Sequence, residues 1–387
     1  KKGSKIIKIK LEESKLIPYG RQDITEEDIK SVIKVLRSDF LTQGPTTAAF
    51  EQELCRYTGA KYAVSVNSCT SALHIACLAL GLGPGDTLWT SPITFVASAN
   101  CAIYCGASVD FVDIEPNTAL MSVKSLKEKL EKAKIEGKLP KIVIPVHFAG
   151  QSCDMKEIYQ LGKVYGFKII VDAAHAIGAK YKDMPVGNCY YSNIVVFSFH
   201  PVKIITTGEG GASMTNDGKL AEHMRLLRSH GITRDVGKMK NKLEGAWYYE
   251  QKILGFNYRM TDIQAALGIS QMNRLDRYTS RRVEIMHWYN KRFEDTSIKP
   301  LFIKSDRLSA CHLYVIRLEG ENMDRNSLYE ELRSAGIGVN LHYIPLYRQP
   351  FFKKKIKLPN AEKYYRSALS LPIYPTISNN DLEKVTH

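Results

Sequence analysis

A lysine in an apolar stretch is the first candidate for chemistry. Lys203 follows the apolar residues 194–199 and precedes a glycine-rich turn, and no other lysine or arginine occurs between Lys182 and Lys219. A lysine can attack a carbonyl and form a Schiff base once its amine is deprotonated, and removal from water lowers the pKa of an amine. Taken alone, a solvated lysine on a loop after a strand is the better interpretation, so neighbouring signals must decide.

A carboxylate ends another apolar segment. Asp172 follows the apolar residues 167–171 and precedes a run of small residues. An acid at the carboxyl end of a central parallel strand faces the crevice where ligands bind in such sheets. It can pair with the ring nitrogen of a pyridoxal cofactor and keep that ring an electron sink. An N-cap of the next helix is the alternative that this residue alone leaves open.

Three further signals concern ligand binding. Residues 67–73 (NSCTSAL) follow a predicted strand and open a helix, so their backbone N–H groups and hydroxyls suit a phosphate, although helix capping explains them equally well. Ser198 can add a hydroxyl to that phosphate site or be an ordinary core or loop serine. Phe95 begins the next predicted helix, where it can stack on a pyridine ring or pack in the core.

The order of these signals is more informative than any one of them. A phosphate-binding turn comes first, followed by an aromatic residue, a strand-end acid and a lysine after a later strand. This order is the one expected of fold-type I pyridoxal enzymes. We therefore expect pyridoxal 5'-phosphate as the cofactor. We expect no metal ion, because no Cys/His cluster has the spacing of metal ligands.

Composition argues against several other classes of protein. With 44% hydrophobic and 24% charged residues, the 387-residue chain is predicted to fold rather than to be disordered. No apolar run approaches the roughly 18 residues that a membrane-spanning helix requires. The basic N-terminal residues lack the continuous apolar segment of a secretory signal. Eight cysteines without a CxxC pair favour a reduced, cytoplasmic protein.

The net charge of +14 requires an explanation. Its lysines and arginines are scattered, and we expect the one dense run, at Lys353, Lys354, Lys355 and Lys357, to be a solvated loop. No DNA- or RNA-binding signature accompanies the charge, so nucleic acid is not an expected partner. A phosphorylated cofactor and a diphosphate substrate are a sufficient reason for a basic cleft.

The apolar segments alternate with helical patterns, which predicts an α/β architecture around a largely parallel sheet. Predicted strands are 62–66, 86–89, 108–112, 141–146, 167–171, 194–199 and 312–318. Predicted helices are 71–80, 95–104, 123–133, 218–229, 261–276, 280–294, 325–335 and a last one near 360–369, with a loop at 232–256. We predict an N-terminal extension (1–24), a large cofactor-binding domain (25–269) and a small C-terminal α+β domain (270–387).

Eight motifs make the chain similar to the DegT/DnrJ/EryC1/StrS family of nucleotide-sugar aminotransferases. They are TQGP (42–45), NSCTSALH (67–74), SPITFVASAN (91–100), VHFAGQ (146–151), VDAAHAIGA (171–179), SFHPVKIITTGEGG (198–211), GFNYRMTDIQAALG (255–268) and HYIP (342–345). The resemblance runs from about residue 17 to the last residue. It implies an aspartate-aminotransferase-like fold of type I, with a mixed, mostly parallel sheet flanked by helices and a smaller C-terminal domain.

The resemblance also implies a role for each matching residue. Lys203 would bind the cofactor as a Schiff base and Asp172 would hold its pyridinium. Around them would lie the phosphate ligands Cys69, Thr70 and Ser198, the stacking Phe95, Gln151 near the phenolic oxygen, His175 beside the ring, and Asn257 at the neighbouring subunit's phosphate. Substrate contacts are implied at Tyr19, Asp39, Phe40, Leu41, Thr42, His342, Tyr343, Ile344 and Pro345. Other members have glycine where this chain has Cys69, so we expect its phosphate loop to differ slightly.

Residues 146–155, 228–235 and 247–272 are most similar to family members of the pseudaminic acid pathway. This implies a UDP-linked 4-keto-6-deoxy N-acetylated hexose as the amino acceptor, L-glutamate as the donor, and a homodimer with shared active sites. Alternatives are a dTDP- or GDP-sugar aminotransferase, a sugar dehydratase of the same fold, and a catalytically silent pyridoxal-fold binding protein. Related dehydratases carry histidine in place of Lys203, and the Asp172/Lys203 pair disfavours the silent protein.

Overall fold

The computed structural model describes residues 16–241, 244–320, 324–352 and 355–387. Residues 1–15 of the predicted extension, and Lys353 and Lys354 of the basic run, lie outside them. The helices are α1 Glu26–Leu36, α2 Pro45–Thr58, α3 Cys69–Ala79, α4 Ala97–Tyr104, α5 Val123–Glu136, α6 Met155–Tyr165, α7 Gly218–Arg228, α8 Asp262–Met272, α9 Leu275–Phe293, α10 Arg325–Ser334, α11 Pro359–Ser367 and α12 Asn379–Thr386. The strands are β1 Tyr62–Val66, β2 Thr87–Thr90, β3 Ser108–Phe111, β4 Ile142–Ile144, β5 Lys168–Asp172, β6 Lys180–Tyr181, β7 Met184–Pro185, β8 Ile194–Ser198, β9 Gly211–Thr215, β10 Ile232–Thr233, β11 Glu250–Gln251, β12 Ile298–Pro300, β13 Arg307–Leu308, β14 Tyr314–Leu318 and β15 Ala368–Leu371.

A seven-stranded sheet with the order β1-β9-β8-β5-β4-β2-β3 forms the centre of the molecule. Strands β3, β2, β4, β5 and β8 are parallel, whereas β9 is antiparallel to both of its neighbours. The side chains of β8 and β9 are buried throughout. Segments rich in valine and isoleucine, such as β4 and β8, are typical of strands covered on both faces, whereas β9 also buries a serine and a threonine. The predicted fold class, α/β with a mostly parallel sheet, is confirmed.

The buried side chains form two clusters. The larger contains the central sheet and its covering helices, including Leu54, Leu73 and Phe197. The smaller surrounds a three-stranded antiparallel sheet with the order β12-β14-β15, and it includes Ile17. Helix α9 contributes to both clusters, with Leu275 in the larger and residues near its C-terminal end in the smaller. The predicted domain boundary at residues 269/270 stays a prediction.

Several predicted elements need correction. The structure adds α1, α2, α6 and β9, which the sequence reading omitted. The break between the two long helices lies at residues 273–274 rather than 277–279, and the predicted helix near 360–369 is followed by β15 and a further helix, α12. The predicted loop at 232–256 contains the short β10–β11 pair, while residues 242–243 lie outside the described residues.

The omitted helices carried recognisable end signals. Thr25 and Asp28 form a reciprocal capping box at the start of α1. Helix α2 has Pro45 in its first turn and ends at Gly59, whose φ of 79° is one that glycine adopts without strain. No helix in the described parts of the chain has both the length and the apolar character of a membrane span.

Candidate active site

The candidate site lies at the carboxyl edge of the central sheet. Strands β1, β2, β5 and β8 run in the same direction, so the loops after Val66, Thr90, Asp172 and Ser198 leave the sheet at the same edge. This edge is where ligands bind in open α/β sheets. The phosphate turn, the aromatic residue, the acid and the lysine singled out in the sequence all follow these four strands.

Asp172 is a buried carboxylate with a hydrogen-bond donor on each oxygen. Only 6% of its surface is exposed. The hydroxyl of Ser98 donates to Oδ2 at 2.6 Å, and the backbone N–H of Ala174 donates to Oδ1 at 3.0 Å. A buried charge requires such partners. The carboxylate keeps lone pairs free to accept a further donor, such as the protonated ring nitrogen of a pyridoxal cofactor.

Lys203 lies in the loop after β8, where its backbone N–H donates to the His200 carbonyl at 2.9 Å. Part of its side chain is exposed, but the amine is buried. This burial lowers the pKa of Lys203 to about 8, against the opposing influence of the Cys69 thiol and the Asp172 carboxylate. Desolvation wins because the attraction of the Asp172 carboxylate does not replace the lost water. The amine is therefore neutral in a useful fraction of molecules near physiological pH.

The N-terminus of α3 opens onto the same place. Ser68 is the N-cap and its hydroxyl accepts the Ser71 N–H at 3.1 Å. The N–H groups of Cys69 and Thr70 belong to the first turn, which has no acceptors within the helix, so they can bind an anion. A Cβ on Gly211 would lie 2.6 Å from the Cys69 nitrogen, so only glycine permits this close packing of β9 against α3.

The Cys69 thiol links the phosphate turn to the other two groups. Burial raises its pKa, Asp172 raises it further, and Lys203 opposes both. The thiol is therefore protonated at neutral pH. Cys69, at the position where the resemblance implies glycine in other members, places a small neutral side chain near the amine and the carboxylate.

Three neutral histidines surround the amine. Burial lowers the pKa of His175 and His312, and it lowers that of His342 to about 3, with the Lys203 charge acting in the same sense on all three. The Ala149 N–H donates to Nδ1 of His175 at 3.3 Å, so the proton of this neutral ring is on Nε2, 3.3 Å from the Tyr343 hydroxyl. The site thus adds no competing positive charge beside Lys203.

Aromatic side chains border the opening. Phe95 is 58% exposed, and its ring centroid lies 6.4 Å from that of Tyr343. Tyr19 lies 5.3 Å from the His342 ring, which also bonds the Ser370 hydroxyl at 2.8 Å. An exposed aromatic at the mouth of a cleft has a free face for a planar ligand. Of the remaining residues in this motif, Ile344 is exposed and Pro345 is buried.

Other predicted cofactor ligands have different surroundings. The side-chain amide of Gln151 donates to the Phe302 carbonyl and accepts the Lys304 N–H, each at 2.9 Å, so its polar atoms face the loop at residues 302–304. Ser198 ends β8 and is buried. Asn257 is exposed, on a segment that pairs with Ser229. The roles predicted for these residues stay predictions.

The predicted substrate loop lies on the surface beside α8. Asp39, Phe40, Leu41 and Thr42 are all exposed. The Leu41 carbonyl accepts the Asp262 N–H at 2.9 Å, and Thr42 pairs with Thr261. These backbone bonds fix the path of the loop, and its side chains project freely.

Sequence reasoning missed two residues of the site, Ser98 and His312. Ser98 lies three residues after Phe95 in the same motif and belongs to the first turn of α4, which begins two residues after Phe95. The His312 ring lies 4.3 Å from that of His175. His312 is the first residue of a predicted strand and gave no signal, because the contact joins residues that are far apart in the chain.

The residues present fit pyridoxal phosphate, since a lysine amine titrating near neutrality, a buried carboxylate and a helix N-terminus lie together. The model of the DegT/DnrJ/EryC1/StrS aminotransferase family matches residues 22–387. The chain belongs to this family.

Relatives with more specific names cover nearly the whole chain. The UDP-4-amino-4,6-dideoxy-N-acetyl-beta-L-altrosamine transaminase of Campylobacter jejuni serotype O:2 is 40% identical over 375 residues, 96% of each chain. Helicobacter pylori PseC, an aminotransferase involved in the biosynthesis of pseudoaminic acid, superposes with a TM-score of 0.88 at 32% identity and covers 96% of this chain and 98% of its own.

A Streptococcus pneumoniae protein named as a sugar aminotransferase has been solved in PLP and PMP forms. It is 30% identical to this chain, its PLP form has a TM-score of 0.85, and the alignment covers 96% of both chains. Together with the family, this establishes the chain as a pyridoxal-phosphate-dependent sugar aminotransferase. The prediction of the enzyme class and of the cofactor is confirmed.

Proposed function

We propose that the enzyme transfers an amino group from L-glutamate to the C4 ketone of a UDP-linked 4-keto-6-deoxy-N-acetylhexosamine. The product would be UDP-4-amino-4,6-dideoxy-N-acetyl-beta-L-altrosamine, for pseudaminic acid biosynthesis. The contiguous group of Lys203, Asp172 and Cys69 supports the transamination. The similarity to the Campylobacter and Helicobacter enzymes over nearly the whole chain supports this particular sugar.

Lys203 is the proposed catalytic residue. Bound pyridoxal phosphate supplies an electron sink for the charge left when a carbon loses its proton. With a pKa of about 8, Nζ of Lys203 exists in both protonation states near neutral pH. It can therefore anchor the cofactor covalently and, once freed, carry a proton between two carbons of the bound reactants.

The remaining cofactor contacts follow from position. Asp172 would hold the ring nitrogen protonated through its free lone pairs. The N–H groups of Cys69 and Thr70 would bind the phosphate, with Ser198 adding its hydroxyl. Phe95 would cover one face of the ring. His175 would lie beside the ring, and Gln151 would lie near its phenolic oxygen.

The sugar nucleotide is proposed to bind at the open side of the cleft. Its contacts would come from Tyr19, from Asp39, Phe40, Leu41 and Thr42, and from His342, Tyr343, Ile344 and Pro345. The net charge of +14 favours a diphosphate, because the summed field of a basic protein attracts anions to its clefts.

A homodimer with shared active sites is part of the proposal. Asn257 would reach the phosphate bound by the neighbouring chain. Large apolar side chains are exposed in the preceding loop, including Trp247 at 70% and Leu254 at 79%. Exposed apolar groups close to a site support a protein–protein contact there. Two-fold symmetry would then complete both active sites at once.

A panel of 4-keto nucleotide sugars tests the acceptor. Purified enzyme, pyridoxal phosphate and L-glutamate are incubated with UDP, dTDP and GDP sugars, and products are identified by mass. We expect amination of the UDP-linked N-acetylated sugar at the highest kcat/KM. Preference for a dTDP or GDP sugar would replace this substrate by the second candidate, while a protein that binds no cofactor would overturn the whole proposal.

A further inference from the structure

Ser98 connects the cofactor-facing acid to helix α4. It is fully buried in the first turn of this helix, and its hydroxyl lies 2.6 Å from Oδ2 of Asp172. A second hydroxyl, that of Thr94, lies 2.7 Å from the Ser98 oxygen. Three side chains thus form a continuous chain of hydrogen bonds that ends on the carboxylate.

Which group donates in each of these hydrogen bonds follows from the number of hydrogens available. An ionised carboxylate only accepts hydrogen bonds, and a serine hydroxyl has one hydrogen to donate. Ser98 therefore donates to Asp172 and must accept the hydrogen of Thr94. Donation by Thr94 polarises the Ser98 hydroxyl and strengthens its bond to the carboxylate.

The carboxylate is held from two independent elements. Ser98 contributes from α4, and the Ala174 N–H contributes from the loop after β5 at 3.0 Å. Two donors on different oxygens fix the rotation of the carboxylate plane. Each donor also leaves further lone pairs on the carboxylate oxygens, so the fixed carboxylate can still accept a hydrogen bond from the cofactor.

We propose that Ser98 is a positioning residue for the transamination: it holds the Asp172 carboxylate in the orientation that accepts the proton-bearing ring nitrogen of the cofactor, so that this nitrogen keeps its proton. This inference rests on the proposed pairing of Asp172 with that nitrogen. Phe95, three residues earlier in the same motif, is exposed at the cleft. The short segment from Phe95 to Ser98 would thus contact the face of the ring and control the protonation of the ring nitrogen.

The test compares Ser98→Ala with Ser98→Thr, which keeps a hydroxyl. We expect the alanine variant to bind the cofactor but lose about tenfold to a hundredfold in kcat, as for one hydrogen bond to a charged group. KM for glutamate should change much less. The threonine variant should recover most of the rate, which a loss of packing volume alone would not explain.

The visible absorbance of the bound cofactor gives a readout that does not depend on turnover. A ring that has lost its proton withdraws less electron density from Nζ of Lys203, the nitrogen that links the protein to the cofactor. This nitrogen therefore becomes more basic. The pH at which the band titrates should therefore rise by about one unit in Ser98→Ala. An unchanged midpoint in a folded, cofactor-loaded variant overturns the role of Ser98.

Ser270→Ala is the matched control. Ser270 is a buried serine that helps to lower the pKa of another buried aspartate, Asp28, in a different part of the fold. It should change neither the absorbance midpoint nor kcat. If Ser98→Ala does not fold, Thr94→Val decides, because it removes only the donor to Ser98. A smaller upward shift of the absorbance midpoint supports the proposed role of the Thr94–Ser98–Asp172 hydrogen bonds, and no shift overturns it. Absence of a lysine-bound cofactor in the wild type would instead overturn the proposed function.

Discussion

The cofactor end of the site and the surface loop at residues 39–42 are built in opposite ways. Asp172 is 6% exposed and has a donor on each oxygen, and the Lys203 amine is buried. Phe40 and Leu41 are 53% and 47% exposed, and the loop is held by backbone bonds to α8. The first region fixes the reacting groups before any ligand arrives. The second leaves its side chains free to adapt to a partner.

This difference separates chemistry from selectivity. Preorganised groups act on the reacting atoms, and their removal should reduce kcat. Adaptable exposed groups gain their contacts only when substrate or a second chain binds. Substitutions at the cofactor end should therefore have the larger effect and act on kcat, whereas substitutions in the exposed region should have smaller effects that depend on the binding partner.

Replacement of Lys203 should have the largest effect. Lys203→Ala removes the buried amine that the proposal makes both anchor and proton carrier. We expect loss of the visible absorbance of lysine-bound cofactor and of transamination. Lys219→Ala, at an exposed position in α7, is the control and should behave as wild type. Undiminished turnover of the Lys203 variant would show that another group does the chemistry.

Asp172→Asn should leave the fold and the cofactor content intact while slowing the reaction by orders of magnitude. An amide cannot hold the ring nitrogen protonated, so the electron sink weakens. A barrier increase of about 4 kcal/mol corresponds to roughly 1000-fold in rate. Steady-state kcat measures the loss of rate, and the amount of cofactor bound per chain shows whether binding is intact. A rate within a few fold of wild type would leave Asp172 with only a structural role.

The depressed pKa of Lys203 predicts a pH dependence of cofactor capture. Only the neutral amine attacks the aldehyde, so the rate at which apoprotein combines with pyridoxal phosphate should rise with pH and level off above about 8. At pH 6 it should be about 100-fold below the plateau, from the neutral fraction of such an amine. Stopped-flow absorbance measures this rate. A midpoint near 10.5, the ordinary lysine value, would show that burial does not act on Nζ.

The same contrast explains what the sequence could predict. Strands β5 and β8 were recognisable because their central residues are buried isoleucine, valine and phenylalanine side chains. Lys203 and Asp172 were recognisable because they follow those strands. The Ser98–Asp172 bond joins residues 74 positions apart, and the contact of His312 with His175 is also long-range. No local pattern encodes such pairs, since each depends on how the whole sheet and its helices pack.

The capping signals of α1 and α2 were local and could have been found. Thr25 with Asp28, and Pro45 with Gly59, mark helix ends by themselves. Helix α6 was harder, because Met155 follows the irregular segment at 148–154 and Asp154 makes no side-chain cap. For Gln151 the predicted cofactor contact stays a prediction, and the bonds of its amide to residues 302 and 304 are long-range contacts that no local pattern announced.

The smallest and most specific effect concerns Asn257, which is exposed and belongs to the adaptable region. If it serves the neighbour's phosphate, a Lys203→Ala chain and an Asn257→Ala chain complement each other. In a mixed dimer, one site combines Lys203 of the second chain with Asn257 of the first. Equal, random exchange makes half of the dimers mixed, each with one intact site of two, so activity should reach about a quarter of wild type.

This complementation must be measured at a cofactor concentration where the Asn257→Ala parent is nearly inactive. Exchange is proven separately, for example with differently tagged chains, and light scattering gives the oligomeric state. Lys203→Ala mixed with itself is the baseline. If Asn257 only bonds the backbone of its own turn, mixtures of the two variant chains should be no more active than the sum of the parents. A monomer at working concentration would equally place Asn257 outside any shared site, because no second chain would then be present to receive it.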